Sequence, residues 1–175
     1  MGSKLVRRFA IGLAALVVTQ VIWEHTPVSD WYHGAVAACA QSIYGRAIAG
    51  GAIPDIHLQE DEFVVSVGGA KRETLHVGAL DITGNLCVLL ALIVASPVKP
   101  RLSVYLRAAL AALILLFVLH VGGLYVIVKT ALAWHAGLTE NHSESLIAAL
   151  GPWMYPMVVL LWAPYLLATR RPLRS

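Results

Sequence analysis

The sequence predicts an α-helical polytopic membrane protein with four transmembrane helices and a small outer-face segment, itself an interfacial helix and a β-hairpin. Three observations predict it. The first is composition: of 175 residues, 58% are hydrophobic and 13% charged, against about 25% charged in an average soluble domain. That leaves too little polar surface to wrap the apolar mass in water, and it equally excludes disorder, which needs low hydropathy. The second is the length of the apolar runs, four of which approach the ~20 residues that cross a hydrocarbon core about 30 Å thick. The third is charge segregation. Nine of the 13 basic residues sit in three short segments, Lys4/Arg7/Arg8, Lys99/Arg101/Arg107 and Arg170/Arg171/Arg174. All 10 acidic residues lie between or beyond them on the other side.

The first predicted span runs from Leu5 to Trp23. Its apolar run ends in Val21-Ile22-Trp23-Glu24, without the small residues a signal peptidase needs, so it reads as an uncleaved anchor. The second runs from Leu80 to Ser96, the third from Val104 to Val128 and the fourth from Leu146 to Ala168. The chain thus divides into an anchor (1–23), a periplasmic helix plus hairpin (24–79) and a three-helix transmembrane region (80–175). Basic residues favour the cytoplasmic side, which predicts a multi-pass protein of a bacterial inner membrane with both termini in the cytoplasm. The bilayer is then the first partner. The net charge of +3 does not indicate nucleic acid, because the basic residues are spent at helix ends. Trp23, Trp31 and Tyr32, then Trp134 and Trp153, then Trp162 and Tyr165 fall where interfacial aromatic belts sit; ordinary packing is the competing reading for each.

Between the first two spans, Ser29 to Ala49 repeats small and apolar residues at helical steps: Trp31, Ala35, Ala38, Cys39, Ser42, Ile43. Gly50-Gly51 and Pro54 end that helix, which is too interrupted to span and is expected along the membrane surface. Phe63–Val67 and Arg72–Val77 are strand-like on either side of a Gly68–Lys71 turn, predicting an antiparallel hairpin.

Few residues carry chemistry. His120 lies deep in the third span, where a polar side chain is costly and faces other helices. It is either functional or a helix-to-helix hydrogen bond beside the close-packing Gly122-Gly123. Asp81, Thr83 and Asn85 form a polar cluster where the second span begins, suited to capping or to a partner. Lys129, His135 and His142 lie at or beyond the outer end of the third span. Cys39 and Cys87 are the two thiols; a nucleophile needs a nearby cation or base, and Cys87 lies in an apolar run, whereas Cys39 has His33, Arg46 and His135 as candidate neighbours, with a small buried cysteine the competing reading. No His-x-x-x-His or Cys-x-x-Cys suggests a metal, and no phosphate loop suggests a nucleotide, so no cofactor is expected.

The hairpin Glu62 to Val77, followed by Asp81-Ile82-Thr83-Gly84-Asn85-Leu86-Cys87-Val88 and an Ala-Leu-rich run ending in Ser96-Pro97, resembles the small membrane proteins associated with exosortase H. More loosely it resembles exosortases and archaeosortases. Exosortases are membrane cysteine transpeptidases whose Cys, Arg and His face outward, the Cys opening a span in an Ala-Cys-Ser-Gly type string. The corresponding place here is Asp81-Ile82-Thr83-Gly84, Cys87 lies about a turn deeper, and Lys129 stands where an arginine is expected. The resemblance therefore implies a non-catalytic accessory subunit of an exosortase-type sorting system, with an exosortase as partner. The alternatives are a divergent transpeptidase using Cys39 or Cys87 with His135 or His142, and a scaffold protein unrelated to sorting.

Overall fold

The structure is a computed structural model that describes residues 2–47, 54–68, 72–96, 102–135 and 156–163. The element order is α1 (Gly2–His25), α2 (Val28–Ala47), β1 (Asp55–Gln59), β2 (Glu62–Gly68), β3 (Arg72–Gly78), α3 (Ala79–Thr83), α4 (Asn85–Ala95) and α5 (Leu102–His135). Residues 156–163 are also helical.

The four-span fold expected from hydropathy is not supported. Among the described residues two helices are long and apolar enough to cross a membrane, Val6–His25 and Leu102–Ala133. The predicted second span is an apolar helical stretch, Ala79–Ala95, in which only Gly84 separates α3 from α4. Its 17 residues fall short of the ~20 that cross a hydrocarbon core. Asn85, Leu86, Cys87, Leu89, Ala91 and Ile93 of α4 are buried in the protein, so its hydropathy reflects a core as much as a bilayer. The predicted fourth span lies outside the described residues apart from 156–163. The third predicted span extends at both ends into α5, 34 residues long.

The chain forms two compact units: Met1–Thr26, Asn85–Leu116 and Met154–Ser175 make the first, and Pro27–Gly84 with Phe117–Trp153 make the second. In the first, α1 packs on α4. The two run antiparallel, since Gly12 faces Ala95, where an added Cβ would come within 3.3 Å of the alanine Cβ, and Thr19 meets Cys87. Polar side chains stitch this apolar unit through backbone carbonyls. The Thr19 hydroxyl donates to Leu16 O at 3.0 Å and lies 3.5 Å from Cys87 O. Tyr105 donates to Ile93 O, Ser96 donates to Leu92 O, and the Trp162 indole donates to the Ser96 hydroxyl. Such bonds use up groups that hydrocarbon would leave unsatisfied.

In the second unit α2 packs against a three-stranded antiparallel sheet of order β1-β2-β3. The predicted hairpin strands pair from Glu62↔Gly78 to Gly68↔Arg72. Strand β1 is additional, pairing Asp55↔Ser66 through Gln59↔Glu62. Strand alternation sorts the faces: Ile56, Phe63, Val65, Val67, Leu75 and Val77 are buried on one, while on the other Asp55, Gln59, Glu62, Thr74 and His76 are exposed and only Val64 and Ser66 of the central strand are buried among the described side chains. On α2, His33, Val36, Ala37 and Ala40 recur at helical spacing and are buried. The stripe expected on the membrane surface lies on the other side of α2 from this core: Trp31, Ala35, Ala38, Ser42 and Ile43 are exposed and Cys39 is half-buried. The Gln41 side chain accepts from the Ile56 backbone N–H at 2.8 Å, satisfying a donor of an edge strand.

Candidate functional site

Adjacent residues of α2 build the polar centre of the second unit. Successive helical side chains diverge by about 100°, so Tyr32 and His33 reach different elements. The Tyr32 hydroxyl shares a 2.7 Å hydrogen bond with His120 Nδ1 on α5, and the His33 Nε2 lies 2.8 Å from the Thr83 hydroxyl on α3. Rings enclose both pairs. Tyr32 meets Phe117 and His120 edge-on, with centroids 5.8 Å apart in each case, and His33 meets Phe63 at 5.9 Å. His33, Thr83 and His120 are buried at 1%, 0% and 0% exposure.

The proton positions on one pair follow from counting hydrogens. Thr83 has a single hydroxyl proton, and it is donated to Ala79 O at 2.8 Å. His33 must therefore donate its Nε2–H to Thr83. Burial lowers the His33 pKa and keeps the imidazole neutral, although the Asp61 and Asp30 carboxylates pull the other way. Burial likewise raises the Tyr32 phenol, which stays protonated. A hydroxyl–imidazole pair at this distance has the spacing of a nucleophile and its base. Its polarity is reversed, however, because a base must accept the nucleophile's proton and here the imidazole donates. With Thr83 wholly inaccessible, the pair is a structural bond.

The predicted site residues are scattered among these surroundings. His120 is fully buried and bonded to Tyr32, an interior position fitting the cost of a polar group in an apolar helix. Asp81, Thr83 and Asn85 differ in their surroundings. Asp81 is exposed and folds back over Gly78, where an added Cβ would lie 2.8 Å from its carboxylate. Thr83 turns to His33, and Asn85 is buried at the start of α4. Cys39 is half-buried on α2, and its carbonyl accepts from Ser42. Cys87 is buried on α4, its thiol 3.9 Å from Thr19 O. Among the described residues neither sulfur is hydrogen-bonded to a histidine. Lys129 is exposed and sits 5.6 Å from the centre of the Tyr125 ring as a cation–π contact. The His135 side chain and His142 lie outside the described residues. Among the described residues no group of three or more His, Cys, Asp or Glu is placed to hold a metal ion.

The aromatic belts also need correction. Trp31 is 74% exposed, as a belt residue would be, but Trp23 and Trp162 are buried at 4% and 1%. Tyr32 is an internal hydrogen-bonding partner and not an interfacial ring. Sequence reasoning missed His33 as a core residue; its place three residues before Val36 and seven before Ala40 was the available signal. Its pairing with Thr83, 50 residues away, had none. Comparison with protein-family models, with curated proteins and with solved structures finds no match for this chain.

Proposed function

We propose that the chain is a membrane-anchored, non-catalytic subunit that presents its α2–sheet unit on the outer side of a bacterial inner membrane and serves an exosortase-type protein-sorting system. The observation that carries the non-catalytic part is the fixed, donor-saturated use of the buried imidazole–hydroxyl pair, together with two thiols that contact backbone carbonyls or nothing basic among the described residues. An acyl-transfer enzyme needs the opposite arrangement, a thiolate beside a base and a donor for the developing oxyanion. The sorting part rests on the resemblance of the Glu62–Pro97 stretch to exosortase-associated proteins. Orientation rests on Lys4, Arg7 and Arg8 in the first turns of α1 and on Arg170, Arg171 and Arg174 near the C-terminus, which favour a cytoplasmic position for both termini.

Three measurements test this. Fusions at Ser175 to a reporter active only in the periplasm should be silent, and activity there refutes the orientation. In-cell cross-linking followed by purification of the chain should recover an exosortase; its absence, with processing of sorting signals unchanged in a deletion strain, refutes the sorting role. Cys39→Ala and Cys87→Ala, singly and together, should complement the deletion at matched protein level. A single cysteine variant that behaves like the deletion while accumulating normally makes the chain a transpeptidase instead.

A further inference from the structure

The first unit contains a groove of about 820 Å³ between α1, α4 and the 156–163 helix, within the range of small-molecule sites, roughly 300–1,000 Å³. Val6, Phe9, Leu13 and Leu16 line one wall at helical spacing, and Val88 and Leu92 line the other. Gly12 and Ala95 also line it, close enough that a Cβ on Gly12 would come within 3.3 Å of the alanine Cβ. One charged side chain lines it, Arg8, near the N-terminal end of α1. Ser96 and Trp162 lie at the same end, since α4 runs antiparallel to α1 and its last turn faces Gly12. The other wall residues are apolar, and Val6, Phe9 and Leu13 remain 67%, 74% and 53% exposed.

We infer that this groove binds one anionic glycerophospholipid of the cytoplasmic leaflet, with an acyl chain along the α1–α4 groove and the headgroup phosphate on the Arg8 guanidinium. Two features select this occupant. The groove runs from Val6 to Leu16, ten residues of α1, or about 15 Å at helical rise. That is half of a hydrocarbon core about 30 Å thick. A partner's transmembrane helix would need a seam along the whole thickness, whereas an acyl chain needs one leaflet. The cation stands at the end where that leaflet's headgroups lie, and guanidinium forms paired hydrogen bonds to phosphate oxygens. Arg7, its neighbour in sequence, does not line the groove. The inference rests on the reading that α1 crosses the membrane with its N-terminus in the cytoplasm.

The test uses the full chain in detergent, with native mass spectrometry following phosphatidylglycerol binding against phosphatidylcholine as competitor. The wild-type chain should retain one phosphatidylglycerol in preference to phosphatidylcholine. Arg8→Gln should weaken that binding about tenfold, the equivalent of about 1.4 kcal/mol. Arg7→Gln removes the same charge outside the groove and should leave binding nearly unchanged. Leu92→Trp, which fills the groove and spares Arg8, should also weaken it. Equal losses in Arg7→Gln and Arg8→Gln would mean diffuse attraction to a basic helix end and would overturn the site. A photo-cross-linker at Phe9 that captures protein in place of lipid would overturn it too. Release of the chain from membranes by alkaline carbonate would defeat the membrane reading as well. A carbonate-resistant chain that shows no lipid preference defeats the lipid site alone.

Discussion

Tyr32 and His120 illustrate how a polar pair is held inside an apolar protein. Each group is costly to bury alone, and the 2.7 Å bond between them offsets that cost. Tyr32→Phe leaves the His120 ring without its phenol partner and should lower stability by about 1–3 kcal/mol, read as a lower melting temperature in detergent. The double variant Tyr32→Phe/His120→Leu should lose less than the sum of the two single losses, since both ends of the bond go together. His33 adds a pH dependence. Its folded-state pKa lies below the ordinary 6.5 because burial disfavours the imidazolium, with Asp61 and Asp30 opposing. Below pH 6.5 the unfolded chain binds a proton that the folded chain does not yet take. This contribution is therefore intact above that pH and is lost as pH falls toward the folded-state value, with a slope of at most about 1.4 kcal/mol per pH unit for one proton. His33→Gln should flatten that part of the stability–pH curve; an unchanged slope would assign the effect to another group.

At the scale of the element, legibility depended on whether a segment's signal was local. The β2–β3 pairing was readable because strand-like residues flank paired glycines. Strand β1 was not readable, because Asp55–Gln59 is short and its turn to β2 is Glu60-Asp61, not the Asn-Gly or Asp-Gly that two-residue hairpins favour. Both turn residues have positive φ, 47° and 63°, a conformation that costs a side-chain-bearing residue of order 1 kcal/mol or more. Replacing them by Asn-Gly (Glu60→Asn with Asp61→Gly) should raise stability by about 1 kcal/mol, measured by thermal unfolding, and a drop would mean that the Glu60 or Asp61 side chain matters to the fold. The apolar helices show the converse error. Hydropathy detects apolar residues but not what covers them, so α4, buried in protein, scored as a span alongside α1, whose Val6–His25 window is 6% buried. Of the candidate site, the interior place of His120 was legible from its apolar helix. Its partner and the His33–Thr83 bond were not, since they lie far apart in sequence.

For the molecule as a whole, α5 is the element in which both units share one continuous helix: Leu102–Leu116 belongs to the first and Phe117–His135 to the second. The order in which the chain is made then matters. Tyr32 and its partner His120 are separated by 88 residues, and His33 and Thr83 by 50. At synthesis rates of about 5–20 residues per second, Tyr32 waits roughly 4–18 s before His120 is polymerised. A chain cut after Asn85 has His33 and Thr83 but no α5, and should be degraded by protease much faster than the full chain in pulse-chase labelling; equal lifetimes would mean that α2 and the sheet hold together without α5. The buried hydrogen bond thus acts as a clock on maturation. The second unit cannot reach its final packing until the second half of the chain has been made, so a stalled or truncated product stays distinguishable from a finished one by the surface it leaves uncovered.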